Sequence, residues 1–257
     1  THKGDAKAKR GGTIYALILM GTSLALLLPA IIGTQVIAGT TEFTVGGVFP
    51  AGTSTTATSI LLFLFAFGIG KAALMPVHPW LPNAMVAPTP VSALLHAVAV
   101  VKAGVFSILK VAIFIFGESV MADTSMSTFL SWVAAISIVV ASIIALRQDN
   151  LKARLAYSTV SQLSYITLGA MLAVSMGILG GGLQIVMHAW GKITLFMCAG
   201  AIYTAAHRTE ISKLKPSMAM FWPLRAVAGI SRACRWATAS SEAIQRCTAM
   251  RCRVSSK

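Results

Sequence analysis

Five basic side chains that can exchange protons lie within stretches that are otherwise apolar. They are Lys71, His96, Lys102, His188 and Lys192. Histidine titrates near neutral pH, and a lysine held away from water releases its proton more readily, whereas an acidic neighbour reverses that effect. Gln184, His188 and Lys192 are spaced i, i+4 and i+8, so they share one face of a helix over roughly 12 Å. Side chains of these types have the chemistry that exchange of protons between side chains would require.

Each position also has a purely structural interpretation. Lys71 follows FGIG and precedes Pro76, which is typical of a helix broken inside the membrane; alternatively, Lys71 ends its helix and extends toward water. Lys102 lies about eleven residues, roughly 16 Å, into its apolar run, near mid-bilayer, where a charge must face protein or a wet cavity. Lys110 either faces that interior or reaches the interface. A lone His188 would more often be a hydrogen-bonded packing residue.

A second polar stripe precedes the residues around His188. Its members recur at helical spacing and are Ser158, Ser161, Gln162 and Tyr165. The stripe either takes part in conduction or only hydrogen-bonds neighbouring helices. Because lipid cannot satisfy polar groups, we expect Gln184, His188 and Lys192 to face a polar interior shared with Ser161 and Tyr165.

The composition places these residues in a polytopic membrane protein. Of the 257 residues, 56% are hydrophobic and 11% are charged, and the mean hydropathy is +0.78, values far from those of a soluble domain. The apolar runs lack the alternation of a membrane β-barrel, so the predicted fold is all-α, with about six transmembrane helices, one of them broken. A further apolar stretch at 218–230 is too short to count. The predicted spans are 13–38, 57–76, 91–117, 127–146, 155–174 and 178–206.

The lysine and arginine residues outside the spans predict the orientation. With six spans, residues 3–10, the loop 147–154 and residues 208–215 fall on one side, and the other side receives only acidic residues. By the positive-inside rule both ends are cytoplasmic, in a multi-pass protein of the cell inner (plasma) membrane. The net charge of +14 therefore reflects topology. No basic stripe with interleaved aromatics predicts nucleic-acid binding.

The chain divides into a basic cytoplasmic segment, 1–12, a transmembrane domain, 13–215, and a divergent basic tail, 216–257. The tail holds three of the four cysteines without CxxC spacing, and we expect it to be disordered or the product of a shifted reading frame. Because no haem, iron–sulfur, flavin or nucleotide motif is present, we expect no cofactor, no metal site and no redox chemistry of its own. The first residue is Thr rather than Met, so we expect the chain to begin inside a longer protein.

The run GKAALMPVHPWLPNAMVAPTPVSALLHAVAVVKAG, residues 70–104, resembles the most recognisable segment of the proton-translocating, antiporter-like subunit family. That family comprises the large membrane-arm subunits of respiratory complex I, the large subunits of Mrp-type sodium/proton antiporters and their relatives in membrane-bound hydrogenases. DNLKARLAYSTVSQLSYI at 149–166 and HAWGKITLFMCAGAIY at 188–203 resemble it too. The resemblance covers about residues 10–215 and leans toward the D-type large subunits of the Mrp antiporters.

The resemblance implies how the site is arranged. Family members contain inverted repeats, each with one broken helix and a buried lysine, joined by a hydrophilic axis across the mid-membrane. By position in the motif, Lys71 corresponds to the proton-holding lysine of the first broken helix. His96 and Lys102 correspond to the residues of the next helix that pass the proton on. His188 and Lys192 match the histidine and lysine of the linking helix.

Three departures limit what the resemblance implies. Gln184 stands where many members have another histidine, so one titrating step is absent or water-mediated. The family pairs its first lysine with a glutamate on a helix that would precede the first predicted span. A second broken helix with its lysine should follow Lys215, and the tail contains nothing that resembles them. The sequence is therefore similar to the middle of a subunit, without a complete translocation unit.

Three functions remain open. The first is a proton-translocating membrane subunit of a multisubunit cation/proton antiporter, not a catalyst by itself, whose partners are other subunits, the lipid bilayer, protons and, as a candidate coupling ion, sodium. The second is a proton-pumping membrane-arm subunit of a respiratory NADH:quinone oxidoreductase or hydrogenase complex. The third is an inert fragment of a broken gene.

Overall fold

The computed structural model describes residues 6–50, 52–94, 99–206 and 209–213. His96 and the predicted tail lie outside this part of the chain. The described residues up to Ser212 belong to one compact unit. This unit is helical, and the β-type pairing in its described residues is a single bridge between Asn150 and Glu210. The described helices are α1 (Ala6–Thr22), α2 (Leu28–Ala38), α3 (Thr55–Gly68), α4 (Trp80–Asn83), α5 (Thr89–Ala93), α6 (Val100–Lys110), α7 (Gly117–Asp123), α8 (Ser125–Arg147), α9 (Leu151–Met171) and α10 (Ser175–Ala206).

The first predicted span is one continuous helix that contains a π-helical segment. Helix α1 runs through Ser23–Leu27, the first π segment, into α2. It begins at Ala6 rather than at residue 13, because the alanine and lysine residues of AKAKR favour helix although they are too polar for an apolar core. It ends where Gly39 adopts a left-handed conformation, φ 73°, and its N–H donates to the Gln35 carbonyl, a C-terminal cap that suits glycine.

The helix break predicted around Lys71 is present. Helix α3 stops at Gly68, a 3₁₀ turn over Gly70–Ala72 carries Lys71, and Ala73 then has a φ of 53°. Such a break frees backbone groups that must find new partners in a membrane. The indole Nε1 of Trp80 donates to the Gly70 carbonyl oxygen at 3.0 Å, so the first residue of α4 satisfies one of them.

The third predicted span is assembled from several pieces. Helix α6 continues through the second π segment, Val111–Phe116, into α7. Glycine 117, with φ 77°, lies at the junction and packs against the backbone of Gly46. The stretch from Val100 to Asp123 is therefore long enough to cross a bilayer, but its hydrogen bonding is not α-helical throughout.

Helices α8, α9 and α10 follow as an up-and-down series with short connections. The Asn150 side chain caps α9 by accepting hydrogen bonds from the backbone N–H groups of Lys152 and Ala153, at 3.0 and 3.3 Å, as expected at a helix N-terminus. Near the other end of α9, a Cβ built on Gly169 would lie 2.6 Å from the Gly177 carbonyl oxygen. Glycine thus lets α9 and α10 approach closely, as small residues do in membrane bundles.

Four described helices are long and apolar enough to cross a membrane. They are Lys9–Ala38, Val100–Asp123, Ser125–Arg147 and Ser175–Thr204. The second predicted span falls short because the break leaves α3 with 14 residues. Helix α9 is absent from the four because its serine, threonine, glutamine and tyrosine residues lower its mean hydropathy. The all-α membrane fold is confirmed, whereas six crossings remain a prediction.

Topology can be tested at the two ends of α8, where exposed residues lie on either side of a 23-residue helix. Such a helix is about 34 Å long, which is enough to separate two aqueous faces. We expect single cysteines at Asp123 and Arg147, in a chain without its native cysteines, to react with an impermeant maleimide from opposite sides of sealed vesicles. Labelling of both positions from the same side would contradict the predicted orientation.

Candidate functional site

Lys71 faces a cavity beside the helix break. The cavity has a volume of about 340 Å³ and is bordered by the first crossing, by α3 and its 3₁₀ turn, and by α6. Both π segments contribute to its wall, through Ser23 and Leu27 from the first and Val111 and Ile115 from the second. Lys71 is exposed, so its ammonium group lies in open space rather than in a sealed core.

Lys102 and His188 meet in the interior of the bundle. The Lys102 Nζ atom of α6 contacts the His188 Nδ1 atom of α10, and the two residues are only 7% and 6% exposed. Lys192, one helical turn beyond His188, is 4% exposed and donates to the Leu155 carbonyl oxygen of α9 at 3.0 Å. Three of the five predicted site residues therefore form one buried cluster, which we call the Lys–His–Lys cluster.

No carboxylate is supplied to this cluster by the helices that form it. None of the seven acidic residues of the chain lies within α6, α9 or α10. Burial of charge without an opposite charge is costly, and two ammonium groups on either side of one imidazole repel each other. The cluster is therefore expensive to hold fully protonated, which is the property that a site exchanging protons requires.

Gln184 extends the same face of α10. Its Nε2 atom donates to the Gln162 Oε1 atom of α9 at 2.5 Å, so the i, i+4, i+8 series does face a polar interior. The expectation that Ser161 and Tyr165 share this interior is wrong. Ser161 instead hydrogen-bonds Ser142 of α8 at 2.8 Å, and Tyr165 is 48% exposed.

The reason for that error is the angle between neighbouring helix positions. Consecutive residues on an α-helix are separated by about 100°, so Ser161 and Gln162 point toward different helices. Ser161 also donates to the Ile138 carbonyl at 3.3 Å, which makes it a packing residue between α8 and α9. Within the stripe, Gln162 thus joins the face of α10, whereas Ser161 and Tyr165 do not.

Lys110 lies apart from the cluster, toward the other end of α6. Its Nζ atom is 4.3 Å from the centre of the Phe43 ring and 5.9 Å from that of Phe106. This is a cation–π arrangement in which the ammonium group lies beside the loop after α2. The sequence left open whether Lys110 faces the interior or reaches the interface, and this position supports the second interpretation.

Lys71 and Lys102 are linked through backbone rather than through a direct hydrogen bond in the described residues. A Cβ built on Gly104 would lie 2.5 Å from the Lys71 carbonyl carbon and 2.6 Å from the Ala72 nitrogen. The 3₁₀ turn that carries Lys71 therefore rests directly on α6, two residues from Lys102. Any displacement of the turn toward α6 must also move the segment that holds Lys102.

Gly104→Ala should destabilise the chain, although alanine favours helix more than glycine does. The added Cβ meets backbone atoms that cannot rotate away, and overpacking of this kind costs about 1–3 kcal/mol. Gly182→Ala is the matched control on α10, because no atom lies within 4 Å of a Cβ at that position. Thermal unfolding of the full chain in detergent measures both variants, and a Gly104→Ala midpoint at or above that of the unsubstituted chain would contradict the contact.

His78 is a half-buried titratable group that the sequence reasoning passed over. It lies between the 3₁₀ turn and α4, with its ring centre 6.3 Å from that of Tyr157. Its Nδ1 atom is buried and has no hydrogen-bond partner in the described part of the chain. Burial lowers the pKa of His78, and the backbone of Pro76 opposes that shift. The HPW tripeptide beside a predicted break was the signal that could have drawn attention to it.

Other features of the site carry no clear sequence signal. The π segments, the Trp80 indole bond to the broken helix and the close approach at Gly104 depend on contacts between distant parts of the chain. Among the described residues, no group of three or more histidine, cysteine, aspartate or glutamate side chains is arranged to hold a metal ion.

A family model described as "NADH:quinone oxidoreductase/Mrp antiporter, TM" matches residues 2–231. Among curated proteins, the chain is 42% identical over 147 residues to the chloroplastic NAD(P)H-quinone oxidoreductase subunit 5 of Marchantia polymorpha, covering 57% of this chain and 20% of that protein. It is 38% identical over 185 residues to the protein of the same name in Brachypodium distachyon, covering 68% and 24%. The chain thus spans about a fifth to a quarter of the curated relatives it matches.

Two solved structures are similar to the chain. A chain of the Mrp complex from Dietzia sp. DQ12-45-1b superposes with a TM-score of 0.71 at 30% identity, covering 78% of this chain and 22% of that one. A chain of the membrane-bound sulfane sulfur reductase, an archaeal respiratory membrane complex, gives a TM-score of 0.69 at 25% identity, covering 82% and 43%. Both solved structures are of membrane complexes.

Proposed function

Because the chain belongs to the NADH:quinone oxidoreductase/Mrp antiporter transmembrane family, we propose that it is a proton-translocating membrane subunit, or part of one, in a multisubunit cation/proton antiporter. The residues proposed to carry protons are Lys71, His96, Lys102, His188 and Lys192. Its partners would be the other subunits of that complex and the surrounding bilayer, with sodium as the candidate coupling ion. The chain would lie in the cell inner membrane with both ends cytoplasmic.

One observation carries the proposal, namely the buried contact between Lys102 and His188. These residues are 86 positions apart in sequence, and α6, α9 and α10 contain no acidic residue. A hydrophobic residue in place of either would avoid the cost of burying a polar group. Their contact is explained if a proton passes between the lysine ammonium and the imidazole ring.

Four of the five residues of the proposed relay lie in the described part of the chain, and each has a distinct position. Lys71 faces the cavity at the helix break and would exchange protons with groups or water there. Lys102 would hand a proton to His188, whose two ring nitrogens can take it up on one side and release it on the other. Lys192, as a neutral amine, would receive it one turn further along α10, and the Leu155 carbonyl would accept a hydrogen bond from the ammonium group so formed.

A second candidate function rests on the names of the similar proteins. The curated relatives are subunits of NAD(P)H-quinone oxidoreductases, which supports a proton-pumping membrane-arm subunit of a respiratory NADH:quinone oxidoreductase or hydrogenase complex. In vesicles that hold the whole complex, an antiporter would dissipate a pH gradient when sodium is added. A redox-driven complex would instead build such a gradient when its electron donor is added. If neither flux appears in vesicles that hold this chain with its partner subunits, the third possibility, an inert fragment, is favoured.

Lys102→Ala tests the relay against a matched control on the same helix. In the whole subunit within its complex, we expect proton flux in vesicles to fall at least tenfold, as is usual when a positioned proton donor or acceptor is removed. Lys110→Ala changes the same residue type eight positions further along α6, beside Phe43, and should change flux less than about twofold. Equal losses for both variants, with normal assembly, would remove the special role of Lys102.

A further inference from the structure

A second cavity, which we call the basic cavity, lies at the other end of the bundle from Phe43 and Lys110. Its volume is about 630 Å³, and it is bordered by the start of α1, by α4 and the turn after it, by the start of α9 and by the chain at Thr209. Two cations, Arg10 and Lys152, and two amides, Asn83 and Asn150, lie in its wall, and none of its lining residues is acidic. The Lys–His–Lys cluster is not part of it.

Several polar groups of the basic cavity have hydrogen-bond donors that could bind a ligand. The Lys152 Nζ atom donates to the Ala87 carbonyl at 3.2 Å, which fixes the ammonium group and leaves two of its three N–H donors. The Asn150 Oδ1 atom is occupied by the backbone of α9, so the amide nitrogen is the end of that side chain left to bind a ligand. Arg10 is exposed and adds a planar guanidinium fork. A set of this kind suits the oxygens of a phosphate group.

The remaining wall of the basic cavity is apolar. Pro82, Met85 and Val86 line it, and Val86 is partly open to the outside. A free phosphate ion would gain nothing from these side chains, whereas an amphiphile would place its charged group on the cations and its hydrocarbon along them. Arg10 lies at the start of Lys9–Ala38, a helix long enough to cross a membrane, so we expect the cavity at the level of lipid headgroups.

From these observations we propose that the basic cavity binds the phosphate-bearing headgroup of an anionic membrane lipid. Arg10 and Lys152 bind the phosphate, Asn150 donates a further hydrogen bond, and Met85 and Val86 contact the upper part of an acyl chain. Basic pockets between helices at a membrane surface are known to select such headgroups. The inference does not depend on the proton relay, since it involves none of the residues proposed to carry protons.

The test is a lipid-binding titration on the full 257-residue chain in a neutral detergent. Native mass spectrometry would count bound phosphatidylglycerol, with phosphatidylcholine of the same acyl chains as the zwitterionic comparison. We expect phosphatidylglycerol to bind at least tenfold more tightly. The double change Arg10→Gln and Lys152→Gln should lower the affinity for phosphatidylglycerol about tenfold, and Arg10→Gln alone should lower it about threefold. Arg147→Gln, an exposed arginine that does not line the cavity, should leave binding within twofold.

Two further measurements separate the remaining outcomes. Lys152→Arg keeps the charge and should keep most of the binding. Retained binding in this variant would show that position 152 tolerates substitution, so the loss in the double variant reflects lost charge rather than misfolding. Inorganic phosphate at millimolar concentration should neither bind nor displace the lipid; if it does both, the ligand is free phosphate and the lipid proposal is overturned. Equal binding of the two lipids, or an equal loss in Arg147→Gln, would overturn the site as well.

Discussion

Lys71→Arg is expected to abolish proton translocation as completely as Lys71→Ala does. Arginine remains protonated at any relevant pH, so it preserves the charge but cannot release a proton in each cycle. The side chain faces a cavity of about 340 Å³, which gives the larger guanidinium group room without moving the helix break. A loss of flux would therefore report on proton release rather than on a steric clash.

The measurement is proton or sodium flux in vesicles that hold the whole subunit in its complex, with the amount of assembled complex determined in parallel. Lys110→Arg is the matched control, because it makes the same substitution at a lysine beside Phe43 that the proposed relay does not use. We expect the control to retain most of its flux. Near-normal flux for Lys71→Arg would mean that Lys71 serves only as a fixed charge, and it would leave the proposed relay without its first member.

Trp80→Ala should have the largest effect on stability of any substitution considered. Trp80 is 1% exposed, contacts Tyr15 edge to face at 5.5 Å between ring centres, and holds the Gly70 carbonyl of the broken helix. Loss of a fully buried tryptophan costs about 3–5 kcal/mol. The Gly70 carbonyl keeps the hydrogen bond from the Ala73 N–H at 3.1 Å but loses the one from the indole, which adds about 0.5–1.5 kcal/mol.

Two companion variants separate packing from hydrogen bonding. Trp80→Phe keeps most of the ring but removes the indole N–H, so it should show mainly the smaller cost of the lost hydrogen bond to the Gly70 carbonyl. Trp190→Ala removes a tryptophan that is 73% exposed and should change stability by less than about 0.5 kcal/mol. Thermal unfolding of the full chain in detergent ranks the three variants. A Trp80→Ala chain as stable as Trp190→Ala would show that the indole does not support the break.

The parts of the fold that sequence predicted well are those governed by local chemistry. Gly68, Gly70 and Pro76 cannot continue an α-helix easily, and the break falls among them. Helix α10 is uninterrupted from Ser175 to Ala206, so the regular spacing of Gln184, His188 and Lys192 places them on one face as predicted. Apolar runs predicted helices wherever the runs were long.

The parts that sequence could not predict depend on contacts across the bundle. Spacing along α6 shows that Lys102 must face protein, but nothing in it identifies His188 as the neighbour. Helix α9 has polar residues on several faces. Only the positions of α8 and α10 decide that Gln162 hydrogen-bonds Gln184 of α10, whereas Ser161 hydrogen-bonds α8. The length of α3 was overestimated because the apolar run continues past the point where the helix stops.

The two π segments should tolerate substitutions better than they tolerate insertions or deletions. Each is a place where the helix holds more residues than α-helical bonding would accept. Deleting one residue there would restore regular bonding and turn the rest of the helix by about 100°. In the first crossing, that rotation would carry Ala30 and Thr34, now buried, away from their contacts. A change of length within an exposed connection between helices causes no such rotation. During evolution of the membrane domain, insertions and deletions are therefore expected to be excluded from the walls of the cavity at Lys71 while they accumulate between the helices.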